Sequence, residues 1–88
     1  MSLKDYKKQL SYDLSIIQHY AHRQLASNTY REIRVYIKHV IEYSKRLPAG
    51  ANIQLFYETN LRALMMILHN ANMVDVISHY YQLTKEAS

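Results

Sequence analysis

Glycine and proline are almost absent from this chain. The 88 residues include one Gly and one Pro, and the two lie two positions apart in the segment LPAGAN, residues 47–52. Sheet-rich folds require many turns, and turns depend heavily on these two residue types. We therefore predict an all-α protein in which LPAGAN is the one strong loop.

Apolar residues recur at intervals of three and four along most of the chain, which is the period of a helix face. Capping-box patterns begin the first two segments, at Ser2–Asp5 and Thr29–Glu32, and Asn52 can cap a third. Short connections favour antiparallel neighbours. The prediction is a small antiparallel four-helix bundle in a single domain, residues 1–88, with fusion of the last two helices as the alternative. The predicted helices cover about residues 3–25, 29–47, 53–69 and 73–85.

Charge and cysteine content limit the functional classes. The net charge is +4, and the basic residues are concentrated in residues 1–50. Without cysteine the chain has no disulfides, thiolate metal sites or cysteine nucleophiles. The longest uncharged segments, residues 47–57 and 63–74, are shorter than the roughly 20 residues of a membrane span, and no signal peptide is evident. A cytoplasmic protein is the simplest expectation.

The second and third predicted helices carry more apolar residues than one core-facing stripe contains. A surface helix normally has a single apolar stripe. Either these helices are central and contact several neighbours, or the surplus forms an interface. We predict a non-enzymatic interaction module that self-associates or binds a protein partner. The predicted contact residues are Val35, Tyr36, Tyr43, Leu55 and Met66.

Four cationic residues lie on one side of the second predicted helix. They are Arg31, Arg34, Lys38 and Lys45, called the basic stripe below. Such a surface can steer an acidic partner towards the interface. Contact with an anionic membrane surface or nucleic acid is a further interpretation, and a basic nucleic-acid-binding or regulatory protein ranks third among the functions considered.

The histidines give no convincing site. His19 and His22 are spaced to share a metal ion, but no carboxylate lies at the neighbouring helical positions and Arg23 would repel a cation. His39 is expected on a solvated face near Glu32 and Glu42. Asp13, at the edge of an apolar stripe, is expected to accept a hydrogen bond from a tyrosine of another helix. No metal, cofactor or catalytic residue is predicted.

Several resemblances bear on function. The spacings of Arg34 to His39 and of Arg62 to His69 resemble the arginine–histidine motif of HEPN-type ribonucleases, although about one such match arises by chance. In size, charge and helix pattern the chain resembles bacteriocin immunity proteins of Gram-positive bacteria, which implies protection of a producer cell at a membrane receptor complex. This immunity function ranks second among the functions considered. The segment from Phe56 to Leu64, and Tyr12–Asp13, resemble flagellin-export chaperones.

Overall fold

The computed structural model describes residues 3–73, with side-chain burial described from residue 4 onwards. Within this range the chain forms three α-helices and no strands, which confirms the all-α prediction. The helices are α1 (Leu3–His22), α2 (Ala26–Ser44) and α3 (Ile53–Asn70). The chain reverses direction twice, so that α1 and α3 lie side by side and run in the same direction.

The end of α1 is a Schellman motif built on a residue other than glycine. Gln24 has a φ of 57°, in the left-handed region. Its N–H donates to the carbonyl of Ala21, and the N–H of Leu25 donates to the carbonyl of Tyr20. The prediction that this helix extends to residue 25 is therefore wrong, because the backbone leaves helical geometry after His22. The side chain of Gln24 donates a 2.7 Å hydrogen bond to the carbonyl of Ala71, beyond α3.

The start of α2 differs from the predicted capping box. Thr29 is fully buried inside the first turns of the helix, and its hydroxyl donates to the carbonyl of Leu25 at 2.8 Å. The N-cap is Leu25, which makes no side-chain cap. Because the Thr29 hydroxyl is used inside the helix, the helix begins at Ala26, three residues before the predicted start. It ends at Ser44, three residues before the predicted end.

The loop between α2 and α3 follows the prediction. It contains Pro48 and Gly50, and Gly50 has a φ of 89°, which a residue with a Cβ adopts only with strain. Asn52 caps α3, because its side chain accepts a 3.0 Å hydrogen bond from the N–H of Leu55. The predicted cap is confirmed, and the third helix lies within one residue of the predicted bounds.

A second Schellman motif ends α3. Asn72 has a φ of 58°, its N–H donates to the carbonyl of His69, and the N–H of Met73 donates to the carbonyl of Leu68. Asparagine tolerates this left-handed geometry better than most residues. The break that the sequence predicted after residue 69 is thus made by Asn72.

One apolar cluster lies between the three helices. The core residues of α1 are spaced three or four apart, as predicted from the period of the sequence. The buried apolar side chains are Tyr6, Leu10, Ile17 and Ala21 of α1, Ile33, Tyr36, Val40 and Tyr43 of α2, Leu64 and Leu68 of α3, and Ala71 and Met73 beyond it.

The predicted four-helix bundle is wrong, because the described residues form a compact arrangement of three helices. Met73, predicted to begin a fourth helix, is not helical. Instead its N–H turns back onto Leu68 and its side chain is buried in the three-helix core. The remainder of the predicted fourth helix, residues 74–85, lies outside the described residues.

Candidate functional site

A carboxyl group occupies a core position between α1 and α2. Asp13 follows Tyr6 and Leu10 in the buried stripe of α1, and it is only 2% exposed. A buried carboxylate is costly unless hydrogen-bonded partners surround it. Two are present, since Nδ1 of His39 lies 2.6 Å from one oxygen and the Gln9 amide donates to the other at 3.1 Å. The pair joins α1 to α2.

Aromatic rings extend this polar pair into the core. The ring of His39 stacks on Tyr43, with centroids 5.5 Å apart and planes 4° from parallel. Tyr43 stacks in turn on Tyr6, at 4.4 Å and 15°. Burial raises the pKa of the Tyr43 phenol above its ordinary value of 10.0, and the negative charge of Asp13 raises it further. The phenol therefore stays neutral well into the alkaline range.

The chemistry of this cluster fits a structural role. An ionised carboxylate can only accept, so Nδ1 of His39 carries the shared proton. A carboxylate–histidine pair orients a general base in many enzymes. Here the carboxylate is inside the core, and the His39 side chain is 25% exposed. The pair holds α1 against α2, and each carboxylate oxygen of Asp13 has a hydrogen-bond donor.

The Asp13–His39 pair is missed by the sequence predictions. The sequence predicts a tyrosine partner for Asp13 and a solvated position for His39 beside Glu32 and Glu42. The available signal was the position of Asp13, because the intervals from Tyr6 onwards place residue 13 on the core stripe as well as residue 14. A carboxylate there requires a donor from the facing helix, and His39 is that donor.

The two arginine–histidine pairs, Arg34 with His39 and Arg62 with His69, do not combine into one site around His39. Arg34 lies on the exposed side of α2, whereas His39 faces α1. Arg62 and His69 are both exposed on α3. Nδ1 of His39 is occupied by Asp13, so that nitrogen is not available to a phosphate.

His19 and His22 lie on the exposed side of α1. The guanidinium of Arg23 donates to Nδ1 of His19 at 3.0 Å and to the His19 carbonyl at 3.2 Å. Nδ1 of His19 is thus taken by a cationic donor, and a metal bound at Nε2 would lie next to that positive charge. Among the described residues no group of three or more His, Cys, Asp or Glu side chains is arranged to hold a metal ion.

The predicted contact residues are divided between the core and the surface. Tyr36 and Tyr43 are buried, and the Tyr36 hydroxyl donates to the backbone carbonyl of Asn60 at 2.8 Å. These two tyrosines therefore hold α2 against its neighbours. Val35 is exposed and lies one turn before His39 on α2.

Leu55 and Met66 are the most exposed of the predicted contact residues. Leu55 is 57% exposed and Met66 is 61% exposed. They lie eleven residues apart on α3, three helical turns, so they fall on nearly the same line along the helix. Thr59 and Arg62 are exposed between them. We call Leu55, Thr59, Arg62 and Met66 the α3 outer face.

All four members of the basic stripe are exposed. With Ile41, which is also exposed, they are spaced alternately by three and four residues along the side of α2 opposite Tyr36. Within the part of the chain that the structure describes, no ion pair joins a member of the stripe to a carboxylate. The stripe therefore carries four positive charges free of carboxylate partners in that part.

A groove of about 450 Å³ separates the N-terminal halves of α1 and α3. Its walls are mainly apolar, and the loop after α2 closes one end. Leu55 borders both this groove and the α3 outer face. The main apolar lining residues are Leu10, Leu14, Leu47, Leu55 and Phe56.

None of the helices within residues 3–73 is long and apolar enough to cross a membrane. Comparison of the chain with protein-family models, with curated proteins and with solved structures finds no match in any of the three. The resemblance to bacteriocin immunity proteins also loses its support from helix pattern, since the described residues form three helices.

Proposed function

We propose that this protein is a non-enzymatic interaction module that binds a protein surface through the α3 outer face. The observation that carries the proposal is the mismatch between composition and burial in α3. Eleven of its eighteen residues are apolar. Leu64 and Leu68 are buried and five others pack partly buried against the core, but Ile53, Leu55 and Met66 are exposed. In α2 the large apolar side chains at the surface are less exposed, at 37% for Val35 and 40% for Ile41.

Covering the exposed apolar side chains of α3 would favour association. Leu55 and Met66 each leave more than half of their surface in contact with water. Covering side chains of this size stabilises a complex by roughly 1–2 kcal/mol each. Exposed apolar residues scattered singly are ordinary, but two aligned on one helix and next to an apolar groove are typical of a contact surface.

Two measurements on matched variants test the proposal. Leu55→Lys/Met66→Lys adds two charges to the α3 outer face, and Tyr12→Lys/Val35→Lys makes the same change at exposed positions of α1 and α2. Sedimentation velocity from low to high micromolar concentration measures self-association. Affinity capture followed by comparison of the three proteins measures binding to other proteins. Circular dichroism establishes that both variants keep the wild-type helix content.

The expected result is association, or selective capture of a protein, by the wild type and the α1/α2 variant but not by the α3 variant. If wild type stays monomeric throughout and captures nothing that the α3 variant does not capture equally, the proposed function is wrong. The same conclusion follows if the α1/α2 variant loses binding as completely as the α3 variant.

A second candidate function, binding of nucleic acid, is supported by the basic stripe. Its residues extend over fifteen positions of the chain, about 21 Å from first to last at helical rise. Phosphate contacts make affinity fall steeply with salt, and each cation removed lowers the slope of log K against log salt by about 1. Arg34→Gln/Lys38→Gln should show this loss against random duplex, whereas Lys4→Gln/Lys8→Gln should not. No salt-dependent binding by wild type excludes this candidate.

A further inference from the structure

We infer that the partner of the α3 outer face is a second copy of this chain, with the two α3 helices antiparallel about a two-fold axis between residues 60 and 61. This inference rests on the proposed function, because it requires α3 to be the binding surface. It goes beyond that function by specifying the partner, the direction of the helices and the residues that meet.

The spacing of the α3 outer face is symmetric along the helix. Leu55 and Met66 are equidistant from the point between residues 60 and 61, and so are Thr59 and Arg62. When two such helices face each other in antiparallel directions, Leu55 of each copy lies level with Met66 of the other. The two apolar contacts then form the ends of the interface. At its centre, Thr59 of each copy lies level with Arg62 of the other. A self-complementary patch of this kind is what a two-fold dimer requires.

Charge favours the antiparallel direction. Arg62 makes no ion pair within the described part of the chain, and the Glu58 carboxylate accepts a 3.2 Å hydrogen bond from the Gln54 amide. In the antiparallel arrangement Arg62 of one copy and Glu58 of the other differ in level by one residue, about 1.5 Å. Both lie on the same side of the contact. The two Arg62 residues of the antiparallel dimer differ in level by three residues, about 4.5 Å, and each lies nearer in level to a Glu58 of the other copy. A parallel dimer would place the two Arg62 residues level with each other and four residues from the other copy's Glu58, so their repulsion would be less compensated.

The expected dimer is weak. A stable interface typically buries about 800 Å² on each partner, and a single pair of short helices covers less than this. Two exposed ion pairs increase the affinity by at most about fivefold each. The dissociation constant should therefore lie in the micromolar range. A dissociation constant of 1 μM corresponds to a binding free energy on the order of −8 kcal/mol.

Single-cysteine cross-linking measures the arrangement directly, because the chain has no native cysteine. Leu55→Cys and Met66→Cys are prepared separately and treated with a short bis-maleimide, alone and as an equimolar mixture. In the antiparallel dimer the two Leu55 positions are about 16 Å apart along the helices, whereas Leu55 and Met66 of different copies are level. Gln18→Cys, at an exposed position of α1, measures random collision.

The expected result is a cross-linked heterodimer in the mixture and only the Gln18→Cys background in each variant alone. Cross-linking of Leu55→Cys alone, at the yield of the mixture, indicates parallel helices and overturns the inference. Background yields throughout also overturn it. In that case selective capture of another protein by the α3 outer face would leave the proposed function standing, and its absence would remove both.

A charge exchange checks the same arrangement without cysteine. Arg62→Glu places two glutamates next to those of the other copy and should raise the dissociation constant about tenfold. Glu58→Arg/Arg62→Glu restores opposite charges across the two-fold axis and should return the constant to within about threefold of wild type. Failure of the double variant to recover, with helix content unchanged, contradicts the arrangement.

Discussion

Nδ1 of His39 lies 2.6 Å from the carboxylate of Asp13, and this pair connects α2 to α1. Asp13 occupies a position in the buried stripe of α1 whose neighbours are apolar. A slide of one helical turn would separate the carboxylate of Asp13 from the His39 nitrogen. Removing one member of such a pair leaves a polar group without its partner, whereas replacing both by apolar residues can be neutral. The pair therefore specifies how the two helices meet.

The pair makes a first prediction about stability. We expect Asp13→Ala to lower the free energy of unfolding by about 2–3 kcal/mol, which is less than the loss for a fully buried pair because His39 is partly exposed. Urea unfolding followed by circular dichroism measures the change. Asp13→Leu/His39→Leu should recover most of the loss. A loss below about 0.5 kcal/mol in Asp13→Ala would show that the pair does not stabilise the fold.

The stability of the protein should decrease in alkaline solution because of Tyr43. In the unfolded chain its phenol ionises near pH 10, and in the folded protein burial and the charge of Asp13 raise its pKa. The folded state thus keeps a proton that the unfolded state loses. This contribution to stability is complete below pH 10 and is lost as the pH rises through the folded pKa.

The measurement is the urea midpoint from pH 8 to pH 11 for wild type and Tyr43→Phe. The variant should show a smaller decrease above pH 10, since it has no proton to lose at that position. Tyr12→Phe is the matched control, because Tyr12 is 62% exposed. Equal decreases in wild type and both variants would contradict the role assigned to Tyr43.

The cap of α3 gives a third prediction. Asn52→Ala removes the side chain that accepts from the N–H of Leu55, and it should reduce stability by about 1 kcal/mol. Asn52→Asp should retain most of it, since aspartate caps equally well and favours the positive end of the helix dipole. Thermal unfolding of the three proteins measures the order. An alanine variant as stable as wild type would mean that water satisfies the N–H equally well.

Met73 and Met66 form a matched pair for the fourth prediction. Met73 is buried in the three-helix core, whereas Met66 is exposed. Met73→Ala should cost about 2 kcal/mol or more of unfolding free energy through lost contacts and a cavity, and Met66→Ala less than about 0.5 kcal/mol. Denaturant unfolding at submicromolar concentration, below the expected dimerisation range, makes the comparison. Equal effects would contradict the placement of Met73 in the core.

Periodicity was sufficient to predict the helical class, the core stripe of α1 and the position of α3, because the spacing of apolar residues follows directly from helix geometry. The Asn52 cap was predictable because its donor lies three residues away. The helix ends at Gln24 and Thr29 were not, since glutamine is a rare choice for left-handed geometry and threonine can bond within a helix as well as cap one.

The candidate sites show the same division between local and long-range information. Exposure of the basic stripe follows from the spacing of its residues along one helix. The burial of Tyr36 and Tyr43 depends on which helix packs against which side of α2, and this is decided by residues far away in the chain, such as Asn60 and Asp13. An individual tyrosine is compatible with both a core and an interface.

The hydrogen bond from Gln24 to the carbonyl of Ala71 has a consequence for the order of folding events. It spans 47 residues, so its closure entropy must be overcome before the bond contributes. Until α3 has docked, the left-handed backbone at Gln24 costs free energy that this hydrogen bond does not yet offset. A hairpin of α1 and α2 alone is therefore a poorly stabilised folding intermediate. The three helices should form in one cooperative kinetic step.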